Sequence, residues 1–273
     1  MSDRTLESPG RGLAVVTGAS SGIGLELARI LAADGFDPVL VARRTGLLEE
    51  LASEIARDTG IRPRVVGLDL AEPEATDRLL AELGEDTDRV TYLVNNAGFG
   101  VLRRFDGVPA DRIVSMINLN VVTLTTLTRA LLPGMIRRGQ GRVLNVASTA
   151  AFLPGPRMSV YYATKAYVLS FSVALHRELR GTGVTVTSLQ PGPTRTEFQA
   201  TAGLSGSSPI ERFAMADSRS VALAGHRGAM SGKSMVTPGL FNKATAVAAR
   251  IVPRPLAAAI VGSIQRSSGQ DES

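Results

Sequence analysis

The sequence predicts a single α/β domain built on a doubly wound parallel sheet of about seven strands, with helices on both faces. Short runs rich in Val and Leu alternate with longer segments in which apolar residues recur at helical spacing. The strand runs are continuously apolar, as expected for strands that are covered on both faces. This alternation is unbroken from Leu13 to Leu189, so we see no domain boundary within it.

The strands and helices are predicted in strict order along the chain. The predicted strands are Leu13–Thr17, Pro38–Ala42, Arg64–Leu68, Thr91–Asn95, Arg142–Val146, Val184–Leu189 and, less regularly placed, Ser234–Thr237. The predicted helices are Ile23–Ala33, Thr45–Thr59, Glu72–Leu83, Ala110–Leu132 and Val160–Leu179. Repeated strand–helix–strand units favour parallel strands that are joined by right-handed crossovers.

The two ends of the chain are predicted to differ from this core. Residues 1–12 are polar and are expected to form a disordered lead-in to a domain at 13–239. The stretch 194–220 is rich in Gly, Ser and Thr, which favours a mobile loop that is helical in part. Residues 240–273 are expected to extend the same domain with two short helices, separated at Pro253.

Composition excludes several classes of protein. The chain has 273 residues, of which 44% are hydrophobic and 20% charged, which is typical of a globular protein. It contains no cysteine, which excludes a disulfide framework and favours the cytoplasm. The net charge is +5, but the arginines are scattered, so we do not predict nucleic-acid binding.

Two further classes of site receive little support. His176 and His226 are far apart in the sequence, and no metal site is predicted. No run of about 18 uninterrupted apolar residues predicts a transmembrane span. Ala244–Ile264 comes closest, but Arg and Pro residues interrupt it. We expect two packed helices there, with contact to a membrane surface through the C-terminal helices as the weaker alternative.

A glycine-rich turn follows the first predicted strand. Its sequence is Thr17, Gly18, Ala19, Ser20, Ser21, Gly22, Ile23, Gly24. Glycines let backbone N–H groups approach a pyrophosphate, and a helix that begins inside the turn adds partial positive charge. A turn that binds nothing is the alternative, but the position directly after the first strand favours a phosphate site.

Four polar residues are candidates for chemistry. Tyr161 and Lys165 are four residues apart on a predicted helix and so share a face. A nearby ammonium favours the phenolate and would lower the phenol pKa from about 10. Ser148 follows the fifth strand and can hydrogen-bond a carbonyl, unless it makes only a local turn. Asn120 lies on an apolar helix, where its amide must bond backbone or hold a water; Asn118 is the competing residue.

These motifs together resemble those of the short-chain dehydrogenase/reductase family. The glycine-rich turn is similar to the family's T-G-x-x-x-G-x-G motif, and residues 161–165 are similar to its Y-x-x-x-K motif. Residues 95–98 resemble its Asn-Asn-Ala-Gly signature. Residues 191–196 resemble its Pro-Gly segment, although Thr194 replaces the usual Ile or Val. The resemblance covers nearly the whole chain and implies a Rossmann-type domain that binds a nicotinamide cofactor.

The resemblance also implies a role for each matching residue. Tyr161 exchanges a proton with the substrate oxygen, Ser148 positions that oxygen, and Lys165 lowers the phenol pKa and bonds the nicotinamide ribose. Asn120 holds a water that belongs to a proton relay. The residues expected to bind the cofactor are Gly18, Ser20, Ser21, Gly22, Ile23, Gly24, Arg43, Arg44, Asp69, Leu70, Asn95, Ala97, Gly98, Tyr161, Lys165, Pro191, Gly192, Thr194 and Thr196.

The end of the second strand indicates which cofactor is preferred. An acidic residue there would bind the ribose 2′-hydroxyl of NAD, but this chain has Ala42 followed by Arg43 and Arg44. Guanidinium groups bind phosphates through paired, charge-assisted hydrogen bonds. The sequence therefore favours NADP(H) over NAD(H), with Arg43 as the main contact and Arg44 as the secondary one. The alternative is that the arginines face solvent.

The predicted function is NADP(H)-dependent hydride transfer between the nicotinamide and a carbonyl or secondary alcohol. The expected substrate is a small to medium apolar ketone or aldehyde, bound by residues among 99–104, 152–158 and 197–219. A catalytically silent NADP-binding sensor or scaffold of the same fold is the alternative. The family resemblance further implies a homodimer or homotetramer, formed through the helices that carry Asn120 and Tyr161.

Overall fold

The computed structural model describes residues 11–203, 215–249 and 251–268. Within these residues, seven parallel strands form one sheet in the order β3-β2-β1-β4-β5-β6-β7. The strands are β1 Leu13–Thr17, β2 Asp37–Ala42, β3 Arg64–Gly67, β4 Val90–Asn95, β5 Gly141–Val146, β6 Val184–Leu189 and β7 Met235–Val236. The central strands are buried along almost their whole length, as their continuous apolar runs predicted.

Helices pack on both faces of this sheet and confirm the predicted doubly wound class. They are α1 Gly22–Ala33, α2 Thr45–Thr59, α3 Ala75–Leu83, α4 Ala110–Ile117, α5 Leu124–Arg137, α6 Ser159–Glu178, α7 Phe198–Ala202, α8 Ser218–Met230, α9 Leu240–Ala248 and α10 Arg254–Ser268. One apolar layer joins α1, α2 and α8 to the sheet. The other layer joins α3 and α5 to the opposite face, together with the end of α6.

The helix predicted at Ala110–Leu132 is longer than expected and changes its form midway. A π-helical turn at Asn118–Thr123 separates α4 from α5, and α5 continues through Pro133 to Arg137. Such turns are frequent at functional sites. Among the described residues, Ala110–Arg137 is also the helix that is long and apolar enough to cross a membrane, although 44% of its apolar window is buried inside the protein. In this structure it serves as a core helix of the domain.

Helix α8 was not predicted from the sequence. Its two internal glycines lower helix propensity, which obscured the pattern. Both glycines are required by packing, because a Cβ on Gly225 would lie 2.8 Å from Leu189 Cδ2, and one on Gly228 would lie 2.2 Å from Val236 Cγ2. The glycines that let α8 pack closely on β6 and β7 are therefore the same residues that weaken its helical pattern in the sequence.

Some predictions fall on residues outside the described ranges. These are most of the lead-in at 1–12, the centre of the loop at 194–220, and the end of the extension at 240–273. The described flanks of the loop are ordered, since Thr194 pairs with Ala216 in a parallel bridge and α7 follows directly. The two predicted tail helices are α9 and α10, which lie on either side of Pro253.

Candidate active site

A cavity of about 680 Å³ lies at the carboxyl ends of the strands, where strand order reverses between β1 and β4. Most of the predicted site residues line it. They are Gly18, Ser20, Ser21, Gly22, Ile23, Arg43, Arg44, Asp69, Leu70, Ala97, Gly98, Ser148, Tyr161, Lys165, Pro191, Gly192, Thr194 and Thr196. Three others, Gly24, Asn95 and Asn120, lie behind this lining and act on the site through their neighbours.

Asn95 is a structural residue within the sheet. Its side-chain amide donates to Asn145 Oδ1 at 2.8 Å and to Thr128 Oγ1 at 3.0 Å, which joins β4 to β5 and α5. The next residue, Asn96, lines the cavity instead and donates to the carbonyl oxygens of Thr17 and Gly18. Alternation of side chains at the end of a strand explains why one Asn of the pair faces the core while the other faces the site.

Gly24 fixes the shape of the phosphate loop from behind. A Cβ at this position would lie 2.3 Å from the Gly18 carbonyl oxygen and 2.4 Å from Asn96 Nδ2. Gly18 and Gly22 have φ values of +66° and +57°, a region that favours glycine. The loop can therefore turn sharply and bring the N-terminus of α1 to the cavity.

Tyr161 and Ser148 meet at the cavity. The Ser148 hydroxyl hydrogen-bonds the Tyr161 phenol, and Ser148 Oγ also accepts from Ala150 N at 3.1 Å, capping the 3₁₀ turn Thr149–Phe152. Burial raises the pKa of Tyr161 above its ordinary value, and the hydrogen bond from Ser148 partly offsets this effect. The lowering expected when both Lys165 and an oxidised nicotinamide lie beside the phenol stays a prediction.

Lys165 is buried beneath the tyrosine. Its Nζ donates to the Val146 carbonyl oxygen at 2.8 Å and lies 5.8 Å from the centroid of the Tyr161 ring. Burial lowers the pKa of Lys165 to about 8. The ammonium form therefore predominates at neutral pH, although the group titrates much closer to neutrality than an exposed lysine does.

Asn120 lies in the π-helical turn, and its side-chain amide makes three hydrogen bonds to protein groups. Its Oδ1 accepts from Phe99 N at 3.1 Å, and its Nδ2 donates to Phe99 O at 3.0 Å and to Thr164 Oγ1 at 3.1 Å. A Cβ on Gly98 would lie 2.9 Å from Asn120 Oδ1 and 3.3 Å from Lys165 Nζ, so both groups sit against Gly98. Asn118 instead donates to the Ala71 carbonyl oxygen. Asn120 thus positions the turn that borders the site.

The two arginines after β2 occupy different places. Arg43 Nη1 lies 3.7 Å from Asp69 Oδ2, whereas Arg44 Nη2 donates to Ser20 Oγ at 3.0 Å and to Glu197 Oε2 at 2.7 Å. Arg44 is therefore the arginine that touches the phosphate loop, while the ranking of Arg43 as the main phosphate contact stays a prediction. Glu197 had been predicted only as part of a substrate loop, since its neighbours in sequence do not reveal the contact.

The side chains on the other wall of the cavity are largely apolar. Phe99, Met158, Tyr162, Phe198 and Ile264 contribute to it. The Phe198 ring lies 5.2 Å from that of Tyr161. Helix α10 was not expected at the site, yet Gln265 donates to the Tyr162 hydroxyl at 3.0 Å. The guanidinium of Arg112 lies 4.6 Å above the Phe99 ring.

Neither histidine lines this cavity. His226 stacks on Tyr92 at 5.9 Å between ring centroids and contacts Asp34 at 3.2 Å. His176 contacts the Val186 carbonyl oxygen at 2.7 Å and is half-buried. Within the part of the chain that the structure describes, no three His, Cys, Asp or Glu side chains are placed to hold a metal ion.

The cavity lining fits a nicotinamide dinucleotide. The N-terminus of α1 and the glycine turn offer a site for an anion. Side chains in place of the glycines would collide with neighbouring atoms there. Arg43 and Arg44 supply positive charge at one end, and Tyr161 and Lys165 lie in another part of the same cavity. The donors and the charge therefore suit a molecule that carries phosphates at one end and a reactive ring at the other.

Comparison with known sequences identifies the family. The family model for short chain dehydrogenase matches residues 12–243. A very-long-chain 3-oxoacyl-CoA reductase from Anas platyrhynchos is 38% identical over 194 residues, which cover 69% of this chain and 62% of that protein, so the match spans less than two thirds of that relative. A sulfoacetaldehyde reductase from Chromohalobacter salexigens is 40% identical over 186 residues, covering 67% of this chain and 72% of that protein.

Solved structures give the same result. A short-chain dehydrogenase from Sphingobium yanoikuyae in complex with NADPH has 31% identity and a TM-score of 0.78, covering 88% of this chain and 93% of that one. A bulky-bulky ketone specific alcohol dehydrogenase from Comamonas testosteroni has 29% identity and a TM-score of 0.75, with coverage of 88% and 93%. The chain belongs to the short-chain dehydrogenase family.

Proposed function

We propose that the protein is an oxidoreductase that acts on CH–OH or C=O groups with NADP(H), and that it reduces small to medium apolar ketones or aldehydes. The observation that carries this proposal is the meeting of Tyr161, Ser148 and Lys165 in one cavity, with an apolar wall on one side and two arginines on the other. Screening aldehydes and ketones with NADPH, and secondary alcohols with NADP, tests the proposal. Turnover of at least one pair supports it, and binding of NADPH without any turnover favours the silent sensor.

The chemistry follows from the hydrogen bonds at Tyr161. The nicotinamide, when bound, supplies a hydride for reduction or accepts one in oxidation. Ser148 orients the carbonyl oxygen beside the phenol, and Tyr161 donates its proton to that oxygen. Because burial raises the pKa of Tyr161, the phenol stays protonated at neutral pH, which is the state needed for reduction. The Lys165 ammonium then stabilises the phenolate that remains.

Asn120 supports this chemistry through the backbone. Its amide bonds both the backbone N–H and the backbone carbonyl oxygen of Phe99, and its oxygen lies on the same side of Gly98 as Lys165 Nζ. We propose that it also holds a water that returns protons to Lys165. Asn120→Ala would then lower the turnover number more strongly in reactions that are limited by proton uptake, which a solvent isotope effect measures.

The arginines support a preference for NADP(H). Ala42, rather than an acidic residue, ends β2, and Arg43 and Arg44 follow it at the cavity. Charge-assisted hydrogen bonds are worth about 1.5–3 kcal/mol each, so Arg43→Ala should raise the KM for NADPH by about 10-fold to 100-fold and leave that for NADH nearly unchanged. A lower KM for NADH than for NADPH that Arg43→Ala does not alter would contradict the preference.

A homodimer or homotetramer is part of the proposal. Apolar side chains are exposed along α4, the π-helical turn and α6, among them Val114, Val122, Tyr167 and Val173. Exposed apolar patches of this kind mark interaction surfaces. Sedimentation of the wild type and of Val122→Glu tests it, with dissociation of the variant as the expected result. A location in the cytoplasm also stays a prediction, which cell fractionation tests.

The C-terminal helices support contact with an anionic membrane surface. Leu240, Phe241 and Ile251 are 84%, 83% and 78% exposed. The sequence from Ser218 to Gln270 contains seven Arg or Lys residues and no Asp or Glu. Apolar side chains among positive charges suit a surface of anionic lipid. Ile264, on the same helix pair, lines the cavity, so an apolar substrate would reach the site from that surface.

Vesicle flotation tests this contact. We expect the protein to float with vesicles that contain phosphatidylglycerol and not with vesicles of phosphatidylcholine alone. Leu240→Ser combined with Phe241→Ser should abolish flotation, whereas Phe105→Ser removes an equally apolar, 62% exposed side chain elsewhere and should not. Absence of flotation by the wild type would contradict the contact. So would self-association that the double variant removes.

A further inference from the structure

We propose that Glu197 occupies the phosphate position of the cofactor site in the cofactor-free protein, and that the cofactor must displace it. The inference rests on the proposed nicotinamide cofactor and adds a residue that sets its affinity. Glu197 begins the segment that leads from the Pro-Gly turn into α7. It would act as an internal anion that competes with the phosphates of the cofactor.

The contacts of the Glu197 carboxylate carry this inference. Its Oε2 accepts from Arg44 Nη2 at 2.7 Å, and the carboxylate also accepts a hydrogen bond from the Ser21 side chain. The same Arg44 nitrogen donates to Ser20 Oγ at 3.0 Å. Glu197 therefore contacts Ser21 and Arg44 directly and is linked to Ser20 through Arg44. Arg44 and Glu197 are 153 residues apart in the sequence.

The position of the carboxylate is that of an anion at a helix N-terminus. Ser21 is the N-cap of α1, and the N–H groups at that end carry partial positive charge. These hydrogen bonds lower the pKa of Glu197, so it is charged at neutral pH. A pyrophosphate that approaches the N-terminus of α1 meets like charge, and Ser21 and Arg44 are already engaged.

The segment that carries Glu197 also reaches the catalytic group. Thr196 packs on the loop so closely that a Cβ on Gly22 would lie 2.7 Å from Thr196 Cγ2. On the other side of Glu197, the Phe198 ring contacts that of Tyr161 at 5.2 Å. Release of the carboxylate by the cofactor would therefore loosen a segment that forms part of the substrate wall, which links cofactor binding to the shape of the substrate pocket.

Binding of NADPH to Glu197→Gln tests the competition. The variant keeps the shape of the side chain but removes its charge. Because the Arg44–Glu197 pair is about half exposed, its loss should tighten NADPH binding by only about threefold to fivefold, measured as the Kd from NADPH fluorescence. Glu178→Gln, at the exposed end of α6, makes the same change in net charge and should leave the Kd unchanged. An unchanged or raised Kd in Glu197→Gln would overturn the inference.

A double variant distinguishes a Glu197 carboxylate that Arg44 holds in the phosphate site from one that only repels the cofactor phosphates at a distance. If Arg44 holds Glu197 in place, Glu197→Gln should give no further tightening when it is made on top of Arg44→Gln. A gain that persists in that background would show general repulsion and would overturn the inference.

Hydrogen exchange of the cofactor-free protein gives a readout that does not need the cofactor. Exchange at residues 194–203 should be faster in Glu197→Gln than in the wild type and in Glu178→Gln, and equal rates would overturn the inference. Failure of wild-type protein to bind NADPH would instead contradict the proposed function, whatever the exchange rates show.

Discussion

The two walls of the cavity are built in different ways. The wall made by the glycine turn, the ends of β1 and β4, and Asn96 consists of backbone and tightly packed atoms, where a single Cβ at Gly24 would collide at 2.3 Å. The wall made by Phe99, Met158, Tyr162, Phe198 and Ile264 consists of side chains on loops and on α6, α7 and α10. The first wall has little freedom to change, whereas the second can be altered one side chain at a time.

This difference predicts which wall of the cavity tolerates substitution. In the proposed function the cofactor binds backbone groups of the first wall, where an added side chain would distort the turn. The proposed catalytic pair, Tyr161 and Lys165, lies on the buried face of α6. We therefore expect changes at the pair and at the glycine wall to be severe, and changes at the side-chain wall to shift substrate preference.

Tyr161→Phe should have the largest effect. Removal of the proton donor should lower kcat by about 10³-fold, within the range for general acid catalysis, while the Kd for NADPH changes little. Tyr162→Phe is the matched control, since it removes the neighbouring hydroxyl that accepts from Gln265, and should retain most of the activity. Steady-state kinetics measures kcat for both variants. Comparable losses of kcat in the two would contradict the role of Tyr161 as the proton donor.

Lys165→Met should trade activity for stability. Burial lowers the pKa of Lys165 from 10.5 to about 8, which corresponds to a cost of about 3 kcal/mol for keeping the charge buried at neutral pH. The methionine avoids that cost but loses the hydrogen bond to Val146, worth about 1 kcal/mol, so urea unfolding should show a net gain of about 2 kcal/mol. We expect kcat to fall by about 10²-fold. A less stable variant would contradict this view of Lys165.

The lowered pKa of Lys165 determines how it makes the free energy of unfolding depend on pH. Its pKa in the folded protein is below that in the unfolded chain, so the unfolded chain binds more protons between about pH 8 and 10.5. Its contribution to the free energy of unfolding therefore rises with pH through this window. The rise should be smaller in Lys165→Met, as measured by urea unfolding at several pH values.

Gly24→Ala tests the glycine wall. The added methyl group collides with the Gly18 carbonyl oxygen, and we expect a loss of about 1–3 kcal/mol in the free energy of unfolding together with weaker NADPH binding. Gly46→Ala, in α2, is the control because its Cβ meets no atom within 4 Å and should change stability by less than about 1 kcal/mol. Equal effects of the two substitutions would show that the loop tolerates movement.

Changes at the side-chain wall should be the smallest. Phe198→Ala removes the ring that contacts Tyr161, and Gln265→Leu removes the hydrogen bond from α10 to Tyr162. Each should change the KM for a carbonyl substrate by about threefold to tenfold and leave the Kd for NADPH unchanged. A large loss of NADPH affinity in either variant would show that the side-chain wall also affects cofactor binding, contrary to this account.

Features with a strong local sequence pattern could be predicted from the sequence, whereas contacts between residues far apart in the chain could not. Strands such as β1 and β6 and helix α2 were predicted to the residue, because buried strands and amphipathic helices have strong local patterns. The glycine turn and the Tyr161–Lys165 pair were found because their spacing reflects local geometry. Gln265 and its partner Tyr162 are 103 residues apart, and Glu197 and its partner Arg44 are 153 residues apart. No local sequence pattern predicts contacts over such separations.

The direction of the Tyr161 pKa could not be obtained from the sequence for a related reason. Spacing shows that Lys165 shares a face with Tyr161, but the degree of burial depends on Phe198, Met158 and the surrounding elements. Burial proved the larger effect and raised the pKa. The sequence thus predicted which groups meet, while the packing around them determined their protonation.

Hydride transfer itself is the central claim, and NADPH that is deuterated at its transferable hydrogen tests it most directly. We expect the alcohol formed from an active carbonyl substrate to carry one deuterium on the former carbonyl carbon, as seen by mass spectrometry, and almost none to form with Tyr161→Phe. An alcohol without that deuterium, or label that is lost from NADPH to water without reduction of any carbonyl, would contradict the account.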